Sequence, residues 1–212
     1  MAFRTTPPPA FGATRTDPES PASPRKADPD APGGRHTTKG LRRRHATMPD
    51  ACDALPELPA PGESMHLLLD HRWQMAPVIA SICRRGPNVA HLRLASLSVN
   101  VKHLNSLLSL CDGGAVRRLT LVLSDYFERM DKSVAAVVNA EFAKRGFRVA
   151  YPACHAKVSC FEFDDGTTLT IEGSANLRGS RCFEQIAVAN DRGLHDFHAG
   201  WIDTVISQYE VH

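Results

Sequence analysis

His155-Ala156-Lys157-Val158-Ser159-Cys160-Phe161-Glu162-Phe163-Asp164-Asp165-Gly166-Thr167-Thr168-Leu169-Thr170-Ile171-Glu172-Gly173-Ser174-Ala175-Asn176 is the stretch on which the reading of this chain turns. Two β-rich runs, 158–163 and 167–171, flank Asp164-Asp165-Gly166, a composition that closes an antiparallel hairpin. Side chains two apart on a strand share a face. Such a strand would set the His155 imidazole beside the Lys157 ammonium, and the returning strand would bring the Ser174 hydroxyl and Asn176 amide to them. Those four groups suit a phosphoryl group; the same residues are also compatible with an ordinary hairpin in an unrelated α/β protein.

Toward the N-terminus the pattern changes period. Leu68, Leu69, Met75, Val78, Ile79 and Ile82 are spaced more like a helix than a strand, with Pro77 starting or kinking it. Residues 89–98 read as a strand, and Leu104, Leu107, Leu108 and Cys111 form a helical stripe stopped by Gly113-Gly114. Leu119-Thr120-Leu121-Val122-Leu123 has the length of a buried strand. Asp131 then caps a helix with the stripe Val134, Val137, Val138 and Phe142, and residues 147–151 return as a strand. Strand, helix, strand, helix, strand implies an α/β fold with right-handed crossovers and a largely parallel sheet flanked by helices. In such sheets the carboxyl ends of the strands line the ligand site. By position alone that nominates Ser96, Ser98, Asn100, Ser124 and Asp125, each equally suited to cap a helix or fill a turn. Beyond the hairpin, residues 183–188 read as a further strand. A closing helix is expected from Phe197, Trp201, Val205 and Tyr209, which recur every four residues beside Ile202 and Ile206.

Composition divides the chain. Twelve of its 15 prolines precede residue 63, in a stretch with almost no aliphatic periodicity. Residues 1–62 are therefore expected to be a disordered Pro-rich, basic tail, unable to bury enough apolar surface to offset its ordering entropy. Its run Lys39-Gly40-Leu41-Arg42-Arg43-Arg44-His45 suits either solvent or an anionic partner, and translation starting at Met48 or Met65 would remove the tail altogether. Residues 63–212 hold 16 Lys plus Arg against 16 Asp plus Glu, a balance that argues against a broad basic face coating nucleic acid. The six cysteines include no C-x-x-C pair. Cys154, His155, Cys160 and Cys182 are conceivable metal ligands, but buried thiols account for them more simply, and neither metal nor cofactor is expected. With no signal-type apolar region at the N-terminus and no apolar run of about 18 residues, the chain reads as soluble and cytoplasmic, without membrane insertion.

His155-x-Lys157 joined by a hairpin to Gly173-Ser174-x-Asn176, with Glu184 opening the next strand, resembles the HKD motif of the phospholipase D superfamily. The resemblance covers roughly residues 89–191 and is nearest to small bacterial members with one motif per chain. It implies a phospholipase D-like domain over 63–212. Where the family places an Asp after the Lys, this chain has Glu162, separated from Gly173 by ten residues; Glu162, or Asp164 if the register slips, would fill that supporting place beside Gly173.

The resemblance implies a metal-independent phosphodiesterase. Imidazole is a competent nucleophile near neutral pH, so His155 would attack phosphorus and form a phosphohistidine. Lys157, Ser174 and Asn176 would stabilise the charge gathering on the phosphoryl oxygens, and Glu184 takes the family's place for orienting the histidine ring. The leaving oxygen needs a second histidine, and no second motif exists. The family's one-motif members imply a homodimer in which each His155 faces its copy. A nuclease is the first expectation for substrate, with Arg178 and Arg181 holding flanking phosphates of DNA or RNA. A phospholipid hydrolase or transphosphatidylase is second, and a catalytically inactive nucleic-acid-binding dimer third.

Overall fold

The computed structural model describes residues 41–46, 57–69, 74–179 and 182–210. The strands are β1 (Leu41–Ala46), β2 (Ser64–Leu69), β3 (Val89–Ser96), β4 (Leu119–Leu123), β5 (Arg148–Ala150), β6 (Val158–Phe163), β7 (Thr168–Gly173) and β8 (Glu184–Ala189). The helices are α1 (Met75–Arg85), α2 (Val101–Asp112), α3 (Asp125–Met130), α4 (Lys132–Arg145) and α5 (Arg192–Tyr209). Together the strands make one mixed sheet in the order β1-β2-β8-β7-β6-β3-β4-β5. Six of them run the same way, and only β6 and β8 run against the rest.

Alternation along the central strands separates two layers. Leu92 and Leu94 of β3, Leu119 and Leu121 of β4 and Phe161 of β6 face one core with Ile79, Leu104 and Phe142 from α1, α2 and α4. Ala95, Val122 and Cys160 face the other way, onto Ile202 and Ile206 of α5. This second layer is partly polar. Arg93 is buried there, its Nε donating to Asp203 Oδ1 at 2.9 Å and its Nη1 to Glu162 Oε2 at 3.1 Å. His91, also buried, contacts Thr120 Oγ1 at 2.8 Å through Nε2 and the Arg118 guanidinium at 2.7 Å through Nδ1. Burial and the neighbouring Arg93 and Arg118 charges push its pKa down to about 3.

Several expectations need correction. Met65, Leu67 and Leu69 are buried and Leu68 is exposed, a period of two. They form β2, antiparallel to β8, and only the part from Met75 is helical. Both readings fit a short aliphatic run, and the free edge of β8 decides between them. In α5 the buried positions are His195, His198, Ala199, Ile202 and Ile206, whereas Phe197 and Tyr209 are exposed. The apolar stripe is therefore rotated away from the four-residue repeat: His198 reaches Glu172 of β7 at 2.7 Å through Nε2, and His195 contacts Asp196 of its own helix at 3.0 Å through Nδ1. Apart from these corrections, Leu41–Ala46 within the N-terminal stretch is a strand paired in parallel with β2. Pro59 O accepts from Asn190 Nδ2 at 2.9 Å, and the Gly62 N–H donates to Asn190 O at 2.7 Å, tying the segment just before β2 to the end of β8. Residues 1–40 and 47–56 of the expected disordered tail lie outside the described residues.

Candidate functional site

The parallel strands β3 and β4 end side by side, and their ends organise the loops above them. Ser96, the last residue of β3, is buried; its Oγ donates to Ser98 O at 3.0 Å and accepts from the Leu177 N–H at 3.0 Å. Asn176 Oδ1 accepts from the Leu97 N–H at 3.1 Å. Buried Ser96 thus ties the segment after Gly173-Ser174 to the end of β3, and Asn176 joins that tie through its Oδ1. Asn100 extends the tie. Its Oδ1 caps α2 at the His103 N–H (2.8 Å), and its Nδ2 donates to Arg178 O at 2.6 Å. His103 Nδ1 donates to Leu177 O at 2.5 Å, and burial lowers its pKa.

At the open end of the hairpin, the Gly173 N–H donates to Lys157 O at 3.3 Å, and the Ser174 N–H to Gln185 O at 2.9 Å. Gly173 is there because nothing larger fits. A Cβ on it would lie 2.2 Å from Gln185 O and 2.9 Å from Ile186 Cα, both backbone atoms. The close approach of β7 and β8 lets Ser174 Oγ donate to Glu184 Oε2 and accept from the Gln185 N–H at 3.1 Å.

His155 and Lys157 lie just before β6 rather than on it. They meet nonetheless, by the lysine folding back. Lys157 Nζ is 2.9 Å from His155 Nδ1 and 2.7 Å from His155 O. Burial lowers the lysine pKa, and the negative charge of Glu184 acts in the opposite sense. The exposed His155 lines a cleft of about 360 Å³ with Leu97, Ser124, Asp125, Tyr126, Ala153 and Cys154. Ser124 caps α3, its Oγ accepting from the Tyr126 N–H at 3.1 Å, and the Asp125 N–H donates to Pro152 O at 2.9 Å.

Of the residues nominated from sequence, His155, Lys157, Gly173, Ser174 and Glu184 therefore form one linked group at the end of the hairpin. Asn176 is joined to it through Leu97, which shares the cleft with His155. Ser96 and Ser124 serve as structural ties, and Ser98 contributes its carbonyl to Ser96. Arg178 pairs with Asp131 at 3.3 Å, and Arg181 lies outside the described residues. Two placements correct the expectations. Glu184 takes the Ser174 hydroxyl, while the His155 ring contact goes to Lys157. Glu162 sits well along β6 from Lys157 and pairs with Arg93, which also holds Asp203 of α5; it supports the docking of α5 to the sheet rather than the site. Asp125 is nominated by position, Cys154 only as a conceivable metal ligand, and Tyr126 and Leu97 not at all. The signal for Tyr126 is its place just after a strand end, beside Ser124 and Asp125, which suit a helix cap. Cys160 is buried under α5 and Cys182 is exposed. Among the described residues, no three His, Cys, Asp or Glu side chains gather as a metal-holding group, and no helix is long and apolar enough to cross a membrane.

No protein-family model matches the chain, and no curated protein matches it. Solved structures similar to it include the phospholipase D family member Nuc from Salmonella typhimurium, at 17% identity and a TM-score of 0.49, covering 64% of this chain and 89% of that one. NucT from Helicobacter pylori is 12% identical with a TM-score of 0.48, covering 70% of this chain and 99% of that one. Phosphatidylserine synthase from Haemophilus influenzae Rd KW20 is 12% identical with a TM-score of 0.47, covering 70% of this chain but 39% of that one. Identities this low leave the chemistry of the site to its own residues.

Proposed function

We propose that the chain is a phosphodiesterase of the phospholipase D kind, most simply a nuclease, that works through a phosphohistidine on His155 without a metal. The observation that carries this reading is the contact of Lys157 Nζ with His155 Nδ1 at 2.9 Å, beside a hairpin end where Ser174 is bonded to Glu184. An ammonium donating to Nδ1 occupies a ring lone pair. A phosphodiester anion is a stronger acceptor than a neutral imidazole, so substrate binding draws Lys157 onto a phosphoryl oxygen and frees the ring. The freed nitrogen lone pair forms the N–P bond as the P–O bond to the leaving group breaks. Lys157 and the Asn176 amide meet the charge on the phosphoryl oxygens. Water then attacks phosphorus, the N–P bond breaks, and the imidazole is restored.

The leaving oxygen requires a proton, and the water must lose one. Among the described residues, the cleft holds one histidine, and His91, His103, His195 and His198 are buried with partners of their own. A two-fold homodimer supplies the missing acid as His155 of the second copy. The test is cleavage in EDTA of labelled single- and double-stranded DNA, RNA and phosphatidylcholine vesicles, together with the solution mass of the full chain. Chelation-resistant nucleic-acid cleavage by a dimer, lost in His155→Ala, is expected. Lipid turnover would move the substrate to phospholipids, and tight binding without cleavage would make the protein a nucleic-acid-binding dimer. Loss of cleavage on chelation, or a strict monomer, would defeat the scheme.

A further inference from the structure

Tyr126 is the one aromatic side chain in the wall of the His155 cleft, and it is 55% exposed. Among the described residues, its hydroxyl has no hydrogen-bond partner. Its backbone, by contrast, is fixed: Ser124 Oγ holds its N–H, and the Asp125 N–H is bonded to Pro152 O, at the start of the loop that carries Ala153, Cys154 and His155. Ring and imidazole thus stand on two short segments pinned to each other. The rest of the lining is apolar at Leu97 and Ala153, carries a thiol at Cys154, and includes Ser124 and Asp125, whose carboxylate is paired with Arg129 at 3.1 Å.

Resting on the phosphodiesterase reading, the geometry points to an unpaired nucleobase as the occupant of this cleft, lying against the Tyr126 ring while its adjoining phosphate meets His155. A flat heterocycle matches a cleft of about 360 Å³, near the lower end of ligand-site sizes. A base paired within a duplex cannot enter without leaving its stack, so the site takes single-stranded polynucleotide. Stacking on a ring is tolerant of base identity, which fits walls with few polar groups. Arg129, one turn along α3, exposed and paired with the lining residue Asp125, would meet a flanking phosphate by exchanging that carboxylate for it. A diacyl lipid would need a longer apolar groove and would bring its chains against the Asp125 carboxylate.

A dinucleotide with a single phosphodiester sets its own register and provides the test. The His155→Ala protein is titrated with a dinucleotide carrying 2-aminopurine and with its analogue abasic at both sugars. Quenching of the 2-aminopurine is expected, with Kd about 5- to 150-fold tighter for the base-bearing probe, the range of one base–aromatic stack. That difference should collapse in Tyr126→Ala and persist in Tyr126→Phe, which keeps the ring; circular dichroism of both variants reports folding. Equal affinity for the two probes, a difference that survives in Tyr126→Ala, or Tyr126-dependent binding of phosphatidylcholine vesicles in place of the dinucleotide would overturn the proposal. Cleavage by the intact protein is read separately. A Tyr126-dependent difference without cleavage keeps the base subsite and removes the enzyme, and cleavage without the difference does the reverse.

Discussion

Lys157 closes on the residue two places before it, with its ammonium against both the Nδ1 and the backbone carbonyl of His155. A flexible side chain held by two acceptors of its own neighbour is oriented before any ligand arrives. Losing that group should be costly. Lys157→Ala is expected to lower kcat by about 10²–10³, the scale of removing one preorganised donor, with thermal stability within about 0.5 kcal/mol because the position is partly exposed. Steady-state kinetics beside a melting curve checks both.

The pH profile follows from the same group. Burial lowers the Lys157 pKa, so the ammonium is lost at a lower pH than that of an ordinary lysine, about 10.4. Activity that depends on the charged form should hold at neutral pH and fall on an alkaline limb that begins below the normal lysine range. Lys157→Arg keeps the charge at all accessible pH and should move that limb upward, even where it lowers the plateau. A log kcat/KM profile with an unmoved alkaline limb would count against the assignment.

Gly173→Ala should destabilise the fold by about 1–3 kcal/mol, the usual cost of overpacking, because the new methyl meets the Gln185 carbonyl and the Ile186 Cα, which are backbone and cannot rotate away. The same displacement separates Ser174 from Glu184, so kcat should fall further than stability explains. Urea midpoints and single-turnover rates, measured on one preparation, separate the two effects.

Ser96→Ala removes the partner of the Leu177 N–H inside a buried seam. An unsatisfied buried donor costs about 1–3 kcal/mol, and Asn176, the residue before it, loses its setting. The expected result is lower stability together with a higher KM for a phosphodiester substrate, visible in denaturant titration and initial rates.

Acid stability should track His91. Its folded pKa is about 3 against about 6.5 when unfolded, so between those values the unfolded chain binds the extra proton. Stability therefore stays level above about pH 6.5 and declines as pH falls from there toward 3. His91→Gln, which cannot titrate, should flatten this part of a Tm-against-pH curve, and an unchanged acid slope would assign the effect elsewhere.

What could be read in advance depended on whether neighbours or the local pattern decided each element. The Asp164-Asp165-Gly166 turn and the aliphatic runs of β3 and β4 carry their own instructions, and all three stand as expected. Met65–Leu69 does not, because an edge of β8 chooses strand over helix there. In the site, residue types and spacing nominate His155, Lys157, Ser174 and Asn176, and the motif resemblance adds Gly173 and Glu184. The contacts among them were out of reach. Which acceptor Lys157 takes depends on how the chain turns before β6, and Glu184 was assigned to a ring that it does not contact. Glu162 shows the same limit from the other side: its position in the motif suggested the site, but its partner Arg93 lies on a strand remote in sequence.

The glycine at position 173 has a consequence for engineering. By letting two main chains touch, it brings the Ser174 hydroxyl to the Glu184 carboxylate through space, so the pair does not rely on the nine residues that connect them along the chain. New termini opened in that connection, with the original ends bridged elsewhere, should leave the hydroxyl and the carboxylate still clasped.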